Sequence, residues 1–141
     1  MTEASANYHS TFIAVAEDCP VQVAMEPPQR GARTSAAQIH LAMARDHAGT
    51  YTQEQILFHT HLHTKGLDPT DHPEQGETWV AFFSKGQPCL RTSPLAKRYG
   101  WGLLFDDHGR VTAVARESEL YDRLLRDPRL RQLRAMRSKR R

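Results

Sequence analysis

The strongest constraint on the fold is a pattern in which two runs of strand-forming residues flank a turn. The runs are residues 101–105 and 110–115, and the turn between them, residues 106–109, reads Asp-Asp-His-Gly. Aspartate and glycine favour such turns because they tolerate the backbone angles that a chain reversal requires. The pattern predicts an antiparallel hairpin from Trp101 to Ala115, so the fold must contain a sheet.

The segments before the hairpin carry several helix start signals. Thr34 or Ser35 precedes an apolar stripe that reaches Gly49, and Thr52 has the capping-box spacing with a glutamine three residues later. Ser93 is followed by a proline, which suits the first turn of a helix. We therefore predict three helices: one up to Gly49, one from Thr52 to near residue 66, and a short one through residue 97.

The region after the hairpin also has helical spacing. Residues 117–127 and 129–137 each present apolar side chains three or four positions apart, and Pro128 separates them. We therefore predict two helices here. The apolar residues are Leu120, Leu124 and Leu125 in the first and Leu130, Leu133 and Met136 in the second.

Three other segments complete the predicted layout. Residues 12–16 form a short apolar run that predicts a buried strand, and residues 67–78, with two prolines, predict a long surface loop. Residues 79–83 are apolar throughout and fit either a buried strand or the end of a helix. Together these elements predict a single α+β domain over residues 1–141, in which helices pack on a small antiparallel sheet that includes the hairpin.

Composition excludes a membrane-spanning chain. The 141 residues are 39% hydrophobic and 25% charged, and the longest apolar runs fall far short of the roughly 20 residues that a span needs. Residues 1–5 lack the basic and apolar parts of a secretory signal, so we expect a cytoplasmic protein with reduced cysteines.

The charge is distributed unevenly along the chain. Residues 1–122 carry 10 lysines and arginines against 15 aspartates and glutamates, whereas residues 123–141 carry 9 against 1. A basic tail such as residues 129–141 attracts nucleic acid or another polyanion. It is equally typical of a solvated helix face or of a clamp onto the acidic body of the same protein.

The candidate ligand site is residues 85–102, which combine cations, aromatic residues and glycines in a short span. Arginine offers a planar fork for carboxylate or phosphate, lysine a compact charge, and tyrosine and tryptophan a stacking face. The alternative is that the cations coat the outside of the hairpin while the tryptophan fills the core. The predicted ligand-binding residues are Lys85, Gln87, Arg91, Lys97, Arg98, Tyr99 and Trp101.

Cys89 is the best candidate for a nucleophile in the sequence. It lies between Lys85 and Arg91, and positive charge favours the reactive thiolate. Free cysteines also pack as small buried hydrophobes, and that alternative stays open. Cys19 lacks neighbouring cations and is a weaker candidate, and a disulfide between the two cysteines also stays open.

Three histidines at alternate positions invite a metal hypothesis. A strand would place His59, His61 and His63 on one face, whereas the predicted helix places only His59 and His63 together. A zinc site needs further ligands, and no Cys-x-x-Cys pair or hydrolytic zinc motif accompanies them. We predict no metal and no cofactor.

Several short motifs resemble a bacterial family described only as a domain of unknown function. The motifs are HSTFIAVA, DCP, SKGQPCLR, KRYGWG and AMRSKR, and they extend over nearly the whole chain. The resemblance implies no activity.

Three functional hypotheses remain. The first is a cytoplasmic binding protein that holds an anionic ligand, such as a nucleotide, nucleic acid or acidic metabolite, through residues 85–102. The second is a small enzyme that uses Cys89 as its nucleophile or redox thiol. The third is a helper subunit whose basic C-terminal tail docks on a partner.

Overall fold

The computed structural model describes residues 7–29 and 31–139. Helices and strands alternate irregularly along the chain. They are β1 (Thr11–Ala14), α1 (Ala36–Leu41), α2 (Gln53–Lys65), α3 (Glu77–Ser84), α4 (Pro94–Arg98), β2 (Trp101–Phe105), β3 (Val111–Ala115), α5 (Glu119–Leu125) and β4 (Arg131–Arg134). A π-helical turn, Ala42–Asp46, extends α1, and a 3-10 turn, Leu90–Thr92, precedes α4.

The four strands form one sheet in the order β3-β2-β1-β4. β2 and β3 are antiparallel, with Trp101 opposite Ala115 and Phe105 opposite Val111, so the predicted hairpin is confirmed. β1 is antiparallel to β2 and parallel to β4. The predicted α+β fold is confirmed, with a sheet that is mostly antiparallel.

Both faces of the sheet are covered. On one face the rings of Phe12 and Tyr121 meet edge to face with centroids 5.2 Å apart, and the Tyr121 hydroxyl accepts a hydrogen bond from the Val15 amide at 3.0 Å. The other face carries Trp101, and the Arg45 guanidinium of the π-helical turn lies 5.9 Å from the centre of its ring. Helix α5 therefore packs on one face, and the π-helical turn after α1 packs on the other.

The helix boundaries follow the start and stop signals. Ser35 and Thr52 each form a complete capping box, and Gly66 ends α2 in the left-handed conformation with φ of 68°. Ser93 caps α4 by accepting a hydrogen bond from the Leu95 amide. Residues 79–83, for which strand and helix were both open, lie in α3. None of the helices in the described ranges is long and apolar enough to cross a bilayer.

The predicted helix at 129–137 is wrong, because this segment contains strand β4. The Arg131 amide donates to the Ser10 carbonyl at 2.9 Å, and the Ala135 amide donates to the Ala14 carbonyl at 2.8 Å. The apolar spacing was compatible with a helix, but pairing with β1 places Leu133 opposite Ile13. Met136, the last apolar residue of that pattern, is 49% exposed.

Candidate anion-binding cleft

A basic cleft lies where the end of β4 meets the loop before α4 and the residues that follow β1. Its volume is about 720 Å³. Four of its side chains are cationic and one is a carboxylate. The residues that line it are Glu17, Arg91, Arg134, Ala135, Met136, Arg137, Ser138 and Lys139.

Arg91 is fastened to the strand beside it. The 3-10 turn that carries it is held by the Leu90 amide, which donates to the buried side-chain oxygen of Gln53 at 2.8 Å. The Arg91 Nε donates to the Arg134 carbonyl at 2.8 Å, and the Arg91 carbonyl accepts from the Met136 amide at 2.9 Å. Because only Nε is used, the described residues leave both Nη groups of this fork available to a ligand.

Two further arginines are fixed by oxygen atoms near the end of β1. Arg134 donates from Nη1 to the Val15 carbonyl at 3.0 Å. Arg137 contacts the Glu17 carboxylate through Nη2 at 2.6 Å and through Nε at 2.9 Å. These contacts restrain both guanidinium groups, which reduces the freedom that they lose when an anion binds.

The chain beyond β4 is clamped to an acidic residue. The amides of Ser138 and Lys139 both donate to Asp18 at 3.0 Å. Desolvation alone would raise the pKa of Asp18, but the hydrogen bonds from these amides bring it below its usual value. Of the alternatives for the basic tail, residues 137–139 therefore fit the clamp onto acidic residues of the same protein.

Cys89 lies two residues before Arg91 and is half-buried. Its Sγ accepts a hydrogen bond from the Tyr8 hydroxyl at 3.1 Å. Burial, followed by this hydrogen bond, raises the pKa of Tyr8 to about 12, so Tyr8 is protonated and donates at neutral pH. Cys19 is buried, and both cysteines are free thiols.

Arg91 is the one predicted ligand residue among those that line the cleft. Lys85 is exposed at the end of α3, and the Gln87 side chain donates to the Phe82 carbonyl at 2.7 Å. Lys97 and Arg98 lie in the last turn of α4. These four residues lie outside the lining of the cleft.

The predicted stacking residues face another part of the molecule. The Trp101 indole donates to the Met25 carbonyl at 2.9 Å, and the Tyr99 carbonyl accepts from the Met25 amide at 3.0 Å. Arg134 is paired with Ala14, so its side chain lies on the same face of the sheet as Phe12. Trp101 lies on the opposite face. An anion held by Arg134 therefore does not meet the tryptophan ring.

Two of the three histidines of α2 contact other side chains, and His63 is exposed. His59 lies 2.8 Å from the Glu74 carboxylate, and His61 stacks on Phe82 with ring centroids 4.4 Å apart. Within residues 7–29 and 31–139, no three histidine, cysteine, aspartate or glutamate side chains come together as a metal site.

A buried serine and histidine pair was not anticipated from the sequence. His40 Nδ1 lies 2.8 Å from the Ser93 Oγ, and the two residues are 6% and 2% exposed. Ser93 Oγ also accepts a hydrogen bond from the Leu95 amide, and its own proton is free to donate to the imidazole when Nδ1 is unprotonated. Because both side chains are buried, this pair serves as a structural link between α1 and the start of α4.

The cationic lining of the cleft was visible in the sequence only as separate parts. Arg91 belonged to the predicted site and Arg134 to the basic tail, 43 positions apart. Glu17 carried no signal that distinguished it from other surface acids, and Asp18 was marked only as part of the DCP motif, to which no role was attached.

Comparison with known proteins gives a family but no relative of known activity. No curated protein and no solved structure matches the chain. One family profile matches residues 3–141, which is nearly the full length. The chain therefore belongs to this family, which is described as a family of unknown function (DUF6157).

Proposed function

We propose that this is a cytoplasmic binding protein for an anionic ligand and that the ligand binds in the basic cleft. The observation that carries the proposal is the convergence of Arg91, Arg134, Arg137 and Lys139 on one cleft with a single carboxylate among its described lining residues. Two free thiols agree with a reducing compartment.

The charge available to a ligand comes from three of these side chains. Glu17 already offsets the charge of Arg137, whereas Arg91 and Arg134 are held by neutral carbonyl oxygens and keep their full charge. Guanidinium groups in fixed positions suit carboxylate and phosphate groups. The cleft volume of about 720 Å³ is in the range of small-molecule sites.

The ligand classes expected from the sequence remain a nucleotide, a nucleic acid or an acidic metabolite. Because Tyr99 and Trp101 lie away from the cleft lining, the proposal depends on charge and not on base stacking. Binding in an open basic cleft should weaken steeply as salt is added.

Isothermal titration calorimetry with inorganic pyrophosphate at low ionic strength measures the affinity that tests the proposal. A double variant, Arg91→Ala with Lys139→Ala, removes two cations of the cleft. The matched control, Arg98→Ala with Arg110→Ala, removes two exposed arginines that lie outside the lining. We expect the cleft variant to lose at least about tenfold in affinity and the control to lose less than about twofold.

Two results would reject the site. Equal losses in both double variants would mean that pyrophosphate responds only to net charge. A larger loss in the control than in the cleft variant would move the site away from β4. Thermal denaturation of each variant confirms that it is folded.

We propose a second candidate function, in which Cys89 is a nucleophile, on one observation. The Tyr8 hydroxyl donates to its Sγ, and a hydrogen-bond donor stabilises a thiolate as it forms. Native alkylation by iodoacetamide should then label Cys89 ahead of the buried Cys19, and Tyr8→Phe should slow the labelling. Labelling of Cys89 only after denaturation would exclude this candidate.

A further inference from the structure

We propose that the outer edge of β4 binds an extended acidic peptide as an additional strand. The inference rests on the proposed function, because an acidic peptide is an anionic ligand, and it adds a fourth class to the three named above. It specifies that the ligand pairs with the main chain of β4 as well as with the cations beside it.

β4 is an edge strand of the sheet. Its pairing with β1 uses the amides of Arg131 and Ala135, which donate to the Ser10 and Ala14 carbonyls. In a parallel ladder, alternate residues direct their main-chain groups to the same side. The main-chain groups of Gln132 and Arg134 therefore point away from β1.

The described residues cover only the later part of this outer edge. The Arg134 carbonyl accepts from Arg91, and the Met136 amide donates to the Arg91 carbonyl. The amide and carbonyl of Gln132 and the amide of Arg134 have no such partner within residues 7–29 and 31–139. Edge groups of this kind are the template for strand addition.

The positive charge of β4 indicates which kind of molecule binds at its outer edge. Arg131 and Arg134 are both exposed on β4, and a second copy of the chain paired along this edge would bring like charges together. Nucleic acid satisfies the charges but offers no strand backbone to the edge. An acidic peptide satisfies both the arginines and the open main-chain groups.

The register of β4 against β1 also specifies where the acidic residues of the peptide should lie. Arg131 is paired with Thr11 and Arg134 with Ala14, so the two arginines lie on opposite faces of the sheet. A peptide that meets both needs carboxylates on both of its faces. A fluorescein-labelled octapeptide that repeats Glu-Glu-Val-Val has this property and is the probe.

Two variants of Gln132 separate main-chain pairing from charge. Gln132→Pro removes the outward amide, and the amides that pair with β1 stay in place, as is tolerated on edge strands. Gln132→Ala keeps that amide and loses the same side-chain hydrogen bond to the Leu124 carbonyl. Neither substitution changes the charge. The matched control on the ligand side is the same peptide N-methylated at alternate residues, which removes the amide donors along one edge of the peptide. Two such peptides are made, one methylated at the odd positions and one at the even positions.

Fluorescence anisotropy should show that Gln132→Pro binds the peptide about tenfold more weakly than Gln132→Ala. One of the two N-methylated peptides should show a similar loss on the native protein. Equal binding by the two variants, or by all three peptides, would overturn strand pairing and leave the anion-binding proposal intact.

The remaining outcomes also decide between the proposals. A labelled oligonucleotide that binds where the peptide does not would overturn the peptide inference and support the basic cleft. Failure of peptide, oligonucleotide and pyrophosphate alike would overturn both proposals. Peptide-independent dimerisation lost in Gln132→Pro would show that a second copy is the occupant, against the inference.

Discussion

At the scale of single residues, the fold sets the ionisation state of His40. It is buried beside the Ser93 hydroxyl, and burial lowers the pKa of His40 from 6.5 to about 4. It is therefore neutral in the folded protein at neutral pH. Ser93 in turn caps α4, so the His40 imidazole connects α1 to α4.

This arrangement predicts a specific loss of stability in mild acid. Between its two pKa values, His40 takes up a proton in the unfolded chain but not in the folded protein, so the free energy of unfolding falls as the pH falls below 6.5. From about pH 7.5 to about pH 5 this contribution is on the order of 2 kcal/mol.

Urea denaturation at the two pH values measures the effect. His40→Asn keeps a hydrogen-bonding side chain beside Ser93 without the ionisation, and its stability should therefore depend less on pH than that of the native protein. The same pH dependence in both proteins would contradict a neutral buried His40.

At the scale of elements, the sheet depends on close contact with α5. A Cβ at Gly102 would lie 2.6 Å from the Phe12 Cζ and 2.8 Å from a ring carbon of Tyr121. These distances are shorter than real Cβ contacts. Gly102 therefore serves as the space in β2 into which the two rings pack.

Gly102→Ala should lower the free energy of unfolding by about 1–3 kcal/mol, because the two rings must move. Phe12→Leu removes the nearest ring atoms, so the alanine should cost less in that background. A double-mutant cycle by chemical denaturation measures the coupling. Strict additivity of the two substitutions would contradict the contact.

β4 is the element that differs most from the sequence prediction, and prolines test its assignment. Leu133→Pro removes an amide on the β1 side and should destabilise the protein by about 2 kcal/mol or more. Gln132→Pro removes an outward amide and should cost much less. Thermal denaturation compares them. Equal large losses would indicate a helix at this position.

The capped helices and the hairpin could be predicted because their signals are local. Thr52 and Gln55 are three residues apart, and the turn at 106–109 joins strands that are neighbours in sequence. β4 pairs with β1 across almost the whole chain, and nothing in its own residues marks that partner. Leu130 and Leu133 have a spacing that a helix also accommodates.

At the scale of the whole molecule, the basic end of the chain is built into the acidic body. Residues 123–141 hold 9 of the 19 lysines and arginines, and Glu17 and Asp18 bind residues 137–139 beside Arg91. The cleft exists only because these distant segments meet. For this reason the sequence indicated Arg91 and a basic tail separately, and could not indicate that they form one site.

NMR can locate the anion-binding site directly. In a titration of the ¹⁵N-labelled protein with inorganic pyrophosphate, we expect the largest amide shift changes at Arg91 and at residues 134–139. Shift changes concentrated at residues 97–101, or none at saturating pyrophosphate, would contradict the basic cleft as the ligand site.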